Sequence, residues 1–277
     1  MKKVILITGC SSGIGRASAR LFAAQGWQVV ATMRDPAQAS DLAGQPNIDL
    51  QALDVTDRAS IAAAFAAIAS RHGRLDAVVN NAGFGAFGPF ETADSALIER
   101  QLATNLTGVM DVTRAALPLM RAQRSGTIVN VASVGGLVTM PFNAIYHATK
   151  FAVVGFTEGL NYELAPFHIR ARYVAPGGVS TDFMGRSLST TFEGNDHPYA
   201  DAVGKVIQAF GQRVANYSTP EQIAQTVLRA VTDDGAQVGY VAGADAEALL
   251  AARAQLGEQG YLRMMMQRFG LQEQDAG

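Results

Sequence analysis

The chain has 277 residues, enough for one large α/β domain or two small ones. With 48% hydrophobic and 17% charged residues it has an ordinary globular balance, able to bury a large core. Its formal charge of −2 supplies no general attraction to nucleic acid or anionic membrane, and its lone cysteine, Cys10, excludes an internal disulfide and a cysteine-cluster metal site.

Met1-Lys2-Lys3 followed by Val4-Ile5-Leu6-Ile7 has the look of a signal peptide, but the apolar run ends at Thr8-Gly9. Four residues are too few for a signal core or a membrane span, so the segment reads as a buried strand. Further β-branched runs at 29–32, 50–53, 77–79, 127–131 and 170–174 read as strands apolar on both faces, with a last one at 238–241. Between or after them, 14–25, 57–72, 94–121, 145–166 and 220–232 read as helices. Apolar strands alternating with helices predict a parallel sheet covered on both sides, a doubly wound α/β fold. The stretch 177–218 breaks the alternation. It is rich in Gly, Ser, Thr and Asn, and a long irregular segment in a compact domain is more often a functional lid than an accident. The tail from 244 to 269 reads as helical, with a polar end expected to fray. No membrane span and no interdomain linker is found, and the cysteine usage fits a cytoplasmic location.

Directly after the first strand comes Thr8-Gly9-Cys10-Ser11-Ser12-Gly13-Ile14-Gly15, then a helix. Glycines permit a tight turn and close approach of a ligand, and the helix N-terminus offers free N–H groups and a positive dipole end. Those are the requirements for holding a pyrophosphate, although the spacing differs from the general G-x-G-x-x-G fingerprint. A second pattern is Ser133, Tyr146 and Lys150, the last being one of only four lysines. Residues four apart share a helix face, so Lys150 holds its charge near the Tyr146 hydroxyl. A nearby cation is expected to lower the phenol from its ordinary ~10 toward working pH, making a general acid/base. A surface tyrosine beside a solvated lysine is the alternative for this triplet alone.

Thr8-Gly9-x3-Gly13-Ile14-Gly15, Asn80-Asn81-Ala82-Gly83, Ser133, Tyr146-x3-Lys150 and Pro176-Gly177 together resemble the motifs of the short-chain dehydrogenase/reductase family, in order and spacing. The resemblance covers about 1–241, and within the family it extends to hydroxysteroid and retinol dehydrogenases and equally to many bacterial-type reductases. It implies a single Rossmann domain with a seven-stranded parallel sheet and helices on both faces. The lid at 177–218 would belong to that domain, with 242–277 as a C-terminal helical extension. The implied assembly is a homodimer or homotetramer.

The resemblance also implies roles. Tyr146 would be the acid/base, Ser133 would hydrogen-bond the substrate oxygen, and Lys150 would bind the nicotinamide ribose. Asn105 matches an asparagine that kinks its helix and supports a proton relay through water. Thr8, Gly9, Ser11, Ser12, Gly13, Ile14 and Gly15 would hold the cofactor phosphates. Asp54 would hydrogen-bond the adenine with Val55 flanking it, although an N-cap role for Asp54 stays open. Asn81, Ala82 and Gly83 would line the cofactor, and Pro176, Gly177, Val179 and Thr181 would meet its nicotinamide end. At the end of the second strand an acid reads the ribose hydroxyl of NAD and an arginine accepts the phosphate of NADP. Met33 stands at the acid's position and Arg34 follows, so NADP(H) is preferred. Asp35 next door keeps NAD(H) open, and Arg16 is a further candidate phosphate partner.

Phe84, Phe87, Val134, Phe142, Phe183 and Met184 are the candidate walls of an apolar pocket for a lipophilic carbonyl or alcohol substrate. His147 points away from Tyr146, because adjacent helix residues diverge by about 100°; it reads as packing or surface. His72, His168 and His197 have no ligand spacing, so no metal is expected. A sugar-nucleotide epimerase or dehydratase usually carries another glycine spacing. A dinucleotide-sensing regulator without turnover would have no need of Ser133, Tyr146 and Lys150 together.

Overall fold

A computed structural model describes residues 2–180, 188–191, 197–211 and 217–272. Seven parallel strands form one sheet: β1 (Val4–Thr8), β2 (Gln28–Met33), β3 (Ile48–Ala52), β4 (Ala77–Asn80), β6 (Gly126–Val131), β7 (Ile169–Pro176) and β9 (Gly239–Ala242). Their order is β3-β2-β1-β4-β6-β7-β9, which reverses direction at β1. Two three-residue strands, β5 (Gly85–Phe87) and β8 (Leu188–Thr190), pair separately.

The strand alternation expected of a doubly covered sheet is realised in β1. Ile5 and Ile7 join a core with Phe22 of α1 (Gly13–Ala24) and Val227 of α7 (Pro220–Thr232). Val4 and Leu6 join the opposite core, with Phe65 of α2 (Arg58–His72), Val112 of α4 (Gly108–Gln123) and Leu160 of α5 (Ala144–Leu164). Each face therefore buries its own apolar layer, the dominant stabilising contribution of such a fold. Buried Arg172 on β7 donates to the carbonyls of Ala230, Asp233 and Gly235, tying that strand to the end of α7.

A third apolar cluster covers the carboxyl ends of the strands. It gathers Phe87, Val134 and Val138 with Val203 and Val206 of α6 (Ala200–Gly211) and Leu249, Tyr261 and Met265 of α8 (Ala244–Arg268). Ligands of open α/β sheets bind at this end, where the strand order reverses.

Two elements differ from the sequence expectation. The helix predicted over 94–121 is broken into α3 (Ser95–Leu102), a π-helical turn at Ala103–Thr107, and α4. The inserted turn carries Asn105, and such single π turns inside helices frequently mark functional sites. The irregular stretch 177–218 contains β8 and α6. Gly204 and Gly211 weaken the intrinsic helix signal of α6, which is recovered by burying Val203 and Val206. Thr181, Phe183 and Met184 lie outside the described residues.

Candidate active site

One cavity of about 840 Å³ runs across the carboxyl end of the sheet, from Arg34 and Asp54 to Met264 on α8. Its first wall is the glycine turn. Gly9 has φ of +73°, a left-handed conformation that a side chain rarely adopts. Gly15 has no room for a Cβ, which would lie 2.4 Å from the Gly9 carbonyl oxygen and 2.5 Å from Asn81 Nδ2. Thr8 locks the turn to the neighbouring strand: its Oγ1 accepts from the amides of Asn81 and Ala82, at 2.9 and 3.0 Å. Asn81 Nδ2 donates to Thr8 O at 2.9 Å and Gly9 O at 3.2 Å. Gly9, Ser11, Ser12, Gly13 and Ile14 therefore line the cavity, while Thr8 and Gly15 support it from behind. Cys10 is fully buried, donates to Ile7 O, and has its thiol pushed up to about 12 by burial. It is a packing residue.

At the end of β2, Met33 and Arg34 line the cavity, and Asp35 does not. The Asp35 carboxylate caps the following turn, accepting from Ala37 N at 3.0 Å. Arg16 is occupied as well, bonding the carbonyls of Ser11 and Gln38. Asp54 and Val55 lie on the wall. Asp54 is not the helix cap; Asp57 takes that role, accepting from Ala59 N at 2.8 Å. Burial raises the Asp54 carboxyl, but hydrogen bonds from Thr56 and the charge of Arg34 outweigh it and hold the group below its ordinary value.

The polar triplet sits at the centre of the cavity. Ser133 follows β6 in extended backbone, and its side chain is hydrogen-bonded to the Tyr146 hydroxyl. Lys150, one turn after Tyr146 on α5, is 7% exposed; its Nζ lies 5.6 Å from the Tyr146 ring centre and donates to Val131 O at 2.8 Å. The expected lowering of the tyrosine is corrected here. Burial raises the Tyr146 pKa and the Ser133 hydrogen bond only partly opposes it, so the phenol keeps its proton at neutral pH. The same burial pushes Lys150 down to about 8. Desolvation penalises whichever form carries charge, so it moves the two groups in opposite directions.

Lys150 therefore has a sign to test. Its native pKa lies below the ordinary 10.5, so between about pH 8 and 10.5 the unfolded chain binds the extra proton and this group's contribution to stability rises with pH. Lys150→Met should gain most relative to the parent below pH 8, with the gain fading toward pH 10.5. Denaturant unfolding of both proteins at pH 7 and pH 10 measures it; a difference constant with pH contradicts it.

Asn105 stands behind the wall, 1% exposed. Its Oδ1 accepts from Phe84 N at 3.0 Å and its Nδ2 donates to Phe84 O at 2.8 Å, so it clamps both backbone groups of the residue that follows the Asn-Asn-Ala-Gly segment. Asn80 is buried in the sheet, donating to Thr113 and Asn130, and does not reach the cavity. Asn81, Ala82 and Gly83 line it, as do Pro176, Gly177 and Val179.

Of the described pocket candidates, Phe84, Phe87 and Val134 line the cavity. Phe142 stands one layer back, edge-on to Phe87 with ring centres 6.2 Å apart. Sequence reading missed Leu188, Phe210, Tyr217, Leu249 and Met264, which complete the apolar wall from α6, α8 and their neighbourhood. Their only advance signal was apolar character in the segments after 177. Asp245, at the start of α8, accepts from Gly178 N at 2.7 Å and was also unforeseen. Among the described residues no group of three or more His, Cys, Asp or Glu is placed to hold a metal ion, and no helix is long and apolar enough to cross a membrane.

Comparison with known proteins agrees with this fold. The family pattern described as short chain dehydrogenase matches residues 3–191. The chain is 35% identical over 229 residues to 3-ketodihydrosphingosine reductase of Bacteroides thetaiotaomicron, covering 83% of each protein. It is 35% identical over 252 residues to human retinol dehydrogenase 8, covering 83% of this chain and 78% of that one. A short-chain dehydrogenase from Streptomyces avermitilis has the same fold with TM-score 0.82 and 31% identity, over 97% of this chain and 96% of that one. Structures similar to this chain include a Brucella melitensis 3-ketoacyl-(acyl-carrier-protein) reductase with NADH (TM-score 0.73, 29% identity, covering 86% of this chain and 96% of that one) and a Burkholderia cenocepacia gluconate 5-dehydrogenase with NADP (0.75, 25%, 90% and 96%). The chain belongs to the short-chain dehydrogenase family, oxidoreductases acting on CH–OH and C=O groups.

Proposed function

We propose that this protein is an NADP(H)-dependent oxidoreductase of a lipophilic carbonyl or secondary alcohol, with Tyr146 as its acid/base. The observation that carries the reading is the hydrogen-bonded Tyr146–Ser133 pair beside Lys150, in the cavity whose far wall is the glycine turn. The turn fits a pyrophosphate: left-handed glycine, no Cβ at Gly15, and the first amides of the twelve-residue helix α1. Nicotinamide supplies or accepts the hydride.

In the reducing direction, charge develops on the carbonyl oxygen. Ser133 donates a hydrogen bond to it, and the Tyr146 phenol, kept protonated by burial, gives up its proton. The Lys150 ammonium beside the ring stabilises the tyrosinate left behind. Asn105 fixes the backbone at Phe84 and bonds Thr149, the residue before Lys150, in keeping with a water relay that restores the proton. The wall from Phe84 through Phe210 to Met264, and relatives named for a keto lipid base and for retinol, favour an apolar substrate. In this proposal 177–218 is a substrate lid and 242–277 a C-terminal helical extension of the same domain.

Arg34 on the cavity wall, with Asp35 turned to its own cap, favours the 2′-phosphate. Arg34→Ala is expected to weaken NADPH by about 10- to 100-fold, the scale of a charge-assisted pair of hydrogen bonds, and NADH by less than about threefold. Fluorescence titration with both cofactors measures this, and equal losses would remove Arg34 as the phosphate reader. Turnover is tested by following NADPH oxidation against steroid ketones, retinal, aliphatic ketones and quinones; no oxidation with any of them ends the substrate reading. A homodimer or homotetramer in the cytoplasm completes the proposal. An apolar surface dent lined by Phe90, Ile98, Leu102 and Ile145 supports self-association, and a sedimentation mass of one chain would contradict it.

A further inference from the structure

His147 follows Tyr146, with ring centres 6.2 Å apart, and is 5% exposed, its ring packed against the loop that carries Ser133. Its Nε2 accepts from Met140 N at 2.9 Å. Nε2 also lies 3.2 Å from Met140 O, but a neutral ring has one proton, and placing it on Nδ1 satisfies the two shorter contacts, so the imidazole is assigned as the Nδ1–H tautomer. Nδ1–H then donates to Gly135 O, at 2.7 Å. The amide of the same Gly135 donates to Ser133 Oγ at 3.0 Å. The fit is close on every side: a Cβ on Gly135 would lie 2.9 Å from His147 Nδ1 and 3.3 Å from Ser133 Oγ. One neutral imidazole thus fixes both ends of the 135–140 loop to the helix that bears Tyr146. Burial, the leading influence on this histidine, lowers its pKa and keeps it in that form.

We propose that His147 is a positioning residue for this active site, setting Ser133 Oγ against the Tyr146 hydroxyl through its hydrogen bond to Gly135 and holding the Met140 wall in register through Nε2. The inference rests on the proposed roles of Ser133 and Tyr146 and adds a residue that touches neither substrate nor cofactor. A histidine that only fills space would make no demand on tautomer and would not couple to Ser133.

The test is a double-mutant cycle with NADPH and whichever ketone of the panel the parent protein reduces. His147→Leu should lower kcat by about 10- to 100-fold, the scale of a misplacement of the order of an ångström, with the NADPH dissociation constant within about twofold of the parent. Ser133→Ala combined with His147→Leu should be within about threefold of Ser133→Ala alone, because the histidine acts through the serine. His147→Asn, whose Nδ2 stands near the Nδ1 position, should recover most of kcat. Losses that multiply, or an unchanged kcat in His147→Leu, overturn the proposal.

Amide hydrogen exchange reads the same contacts without turnover. It decides the matter if the parent reduces nothing in the panel or if a leucine variant folds poorly, the asparagine variant then serving. In His147→Leu the amides of Gly135 and Met140 should both exchange at least about tenfold faster. In Ser133→Ala only Gly135 should quicken, and in His147→Asn the Met140 amide should quicken more than that of Gly135. A Met140 amide that exchanges at the parent rate in His147→Leu and His147→Asn overturns the inference whatever the substrate.

Discussion

Tyr146→Phe is expected to lower kcat for carbonyl reduction by about 10²- to 10⁴-fold, the usual contribution of a positioned acid/base, while NADPH still binds. The ring of phenylalanine fills the same space beside Lys150, so the cavity keeps its shape and only the proton is lost. The raised pKa of the phenol gives the effect a direction. At neutral pH the group is a donor, suited to protonating the oxygen that hydride transfer makes negative. Steady-state NADPH oxidation and a fluorescence titration of NADPH check both halves. A variant that retains a tenth or more of the parent kcat would show that another group delivers the proton.

The second large effect is expected at the glycine turn. In Gly15→Ala the new methyl would lie 2.4 Å from the Gly9 carbonyl oxygen and 2.5 Å from Asn81 Nδ2, so the turn must move. Overpacking of this kind costs about 1–3 kcal/mol, and the displaced amides no longer converge on one anion. NADPH affinity should fall by about 100-fold or more, the worth of roughly two hydrogen bonds to a charged group. Gly204→Ala is the contrasting variant: nothing lies within 4 Å of its Cβ on α6, so a gain of up to about 1 kcal/mol is expected there. Thermal unfolding and cofactor titration of both variants test this pair. Normal NADPH affinity in Gly15→Ala would mean that the turn does not hold the phosphates.

Much of this site was legible in the sequence because its chemistry is local. The glycine turn needs residues without Cβ atoms at fixed spacing, and Tyr146 and Lys150 need one helical turn between them. Both demands leave a pattern in a single segment. Most of the strands were legible for a similar reason, since a strand buried on two faces tends to be apolar throughout; β3, with Asp49 and Gln51, and β7, with Arg170 and Arg172, depart from that rule. Asn105 was found through its motif, but its role as a clamp on Phe84 depends on a π turn that no periodicity announces. In sequence His147 reads as packing or surface, because its partners, Gly135 and Met140, lie 12 and 7 residues away.

The sequence by itself determined the doubly wound sheet, the glycine turn after β1 and the one-turn spacing of Tyr146 and Lys150, since each follows from residue type at short range. Only the tertiary structure decided the rest. It turned Asp35 into a cap and left Arg34 on the wall, set Phe142 behind Phe87, and brought Met264 of α8 into the cavity. It also reversed the expected shift of Tyr146, because desolvation depends on how many atoms surround the phenol, which tertiary packing sets.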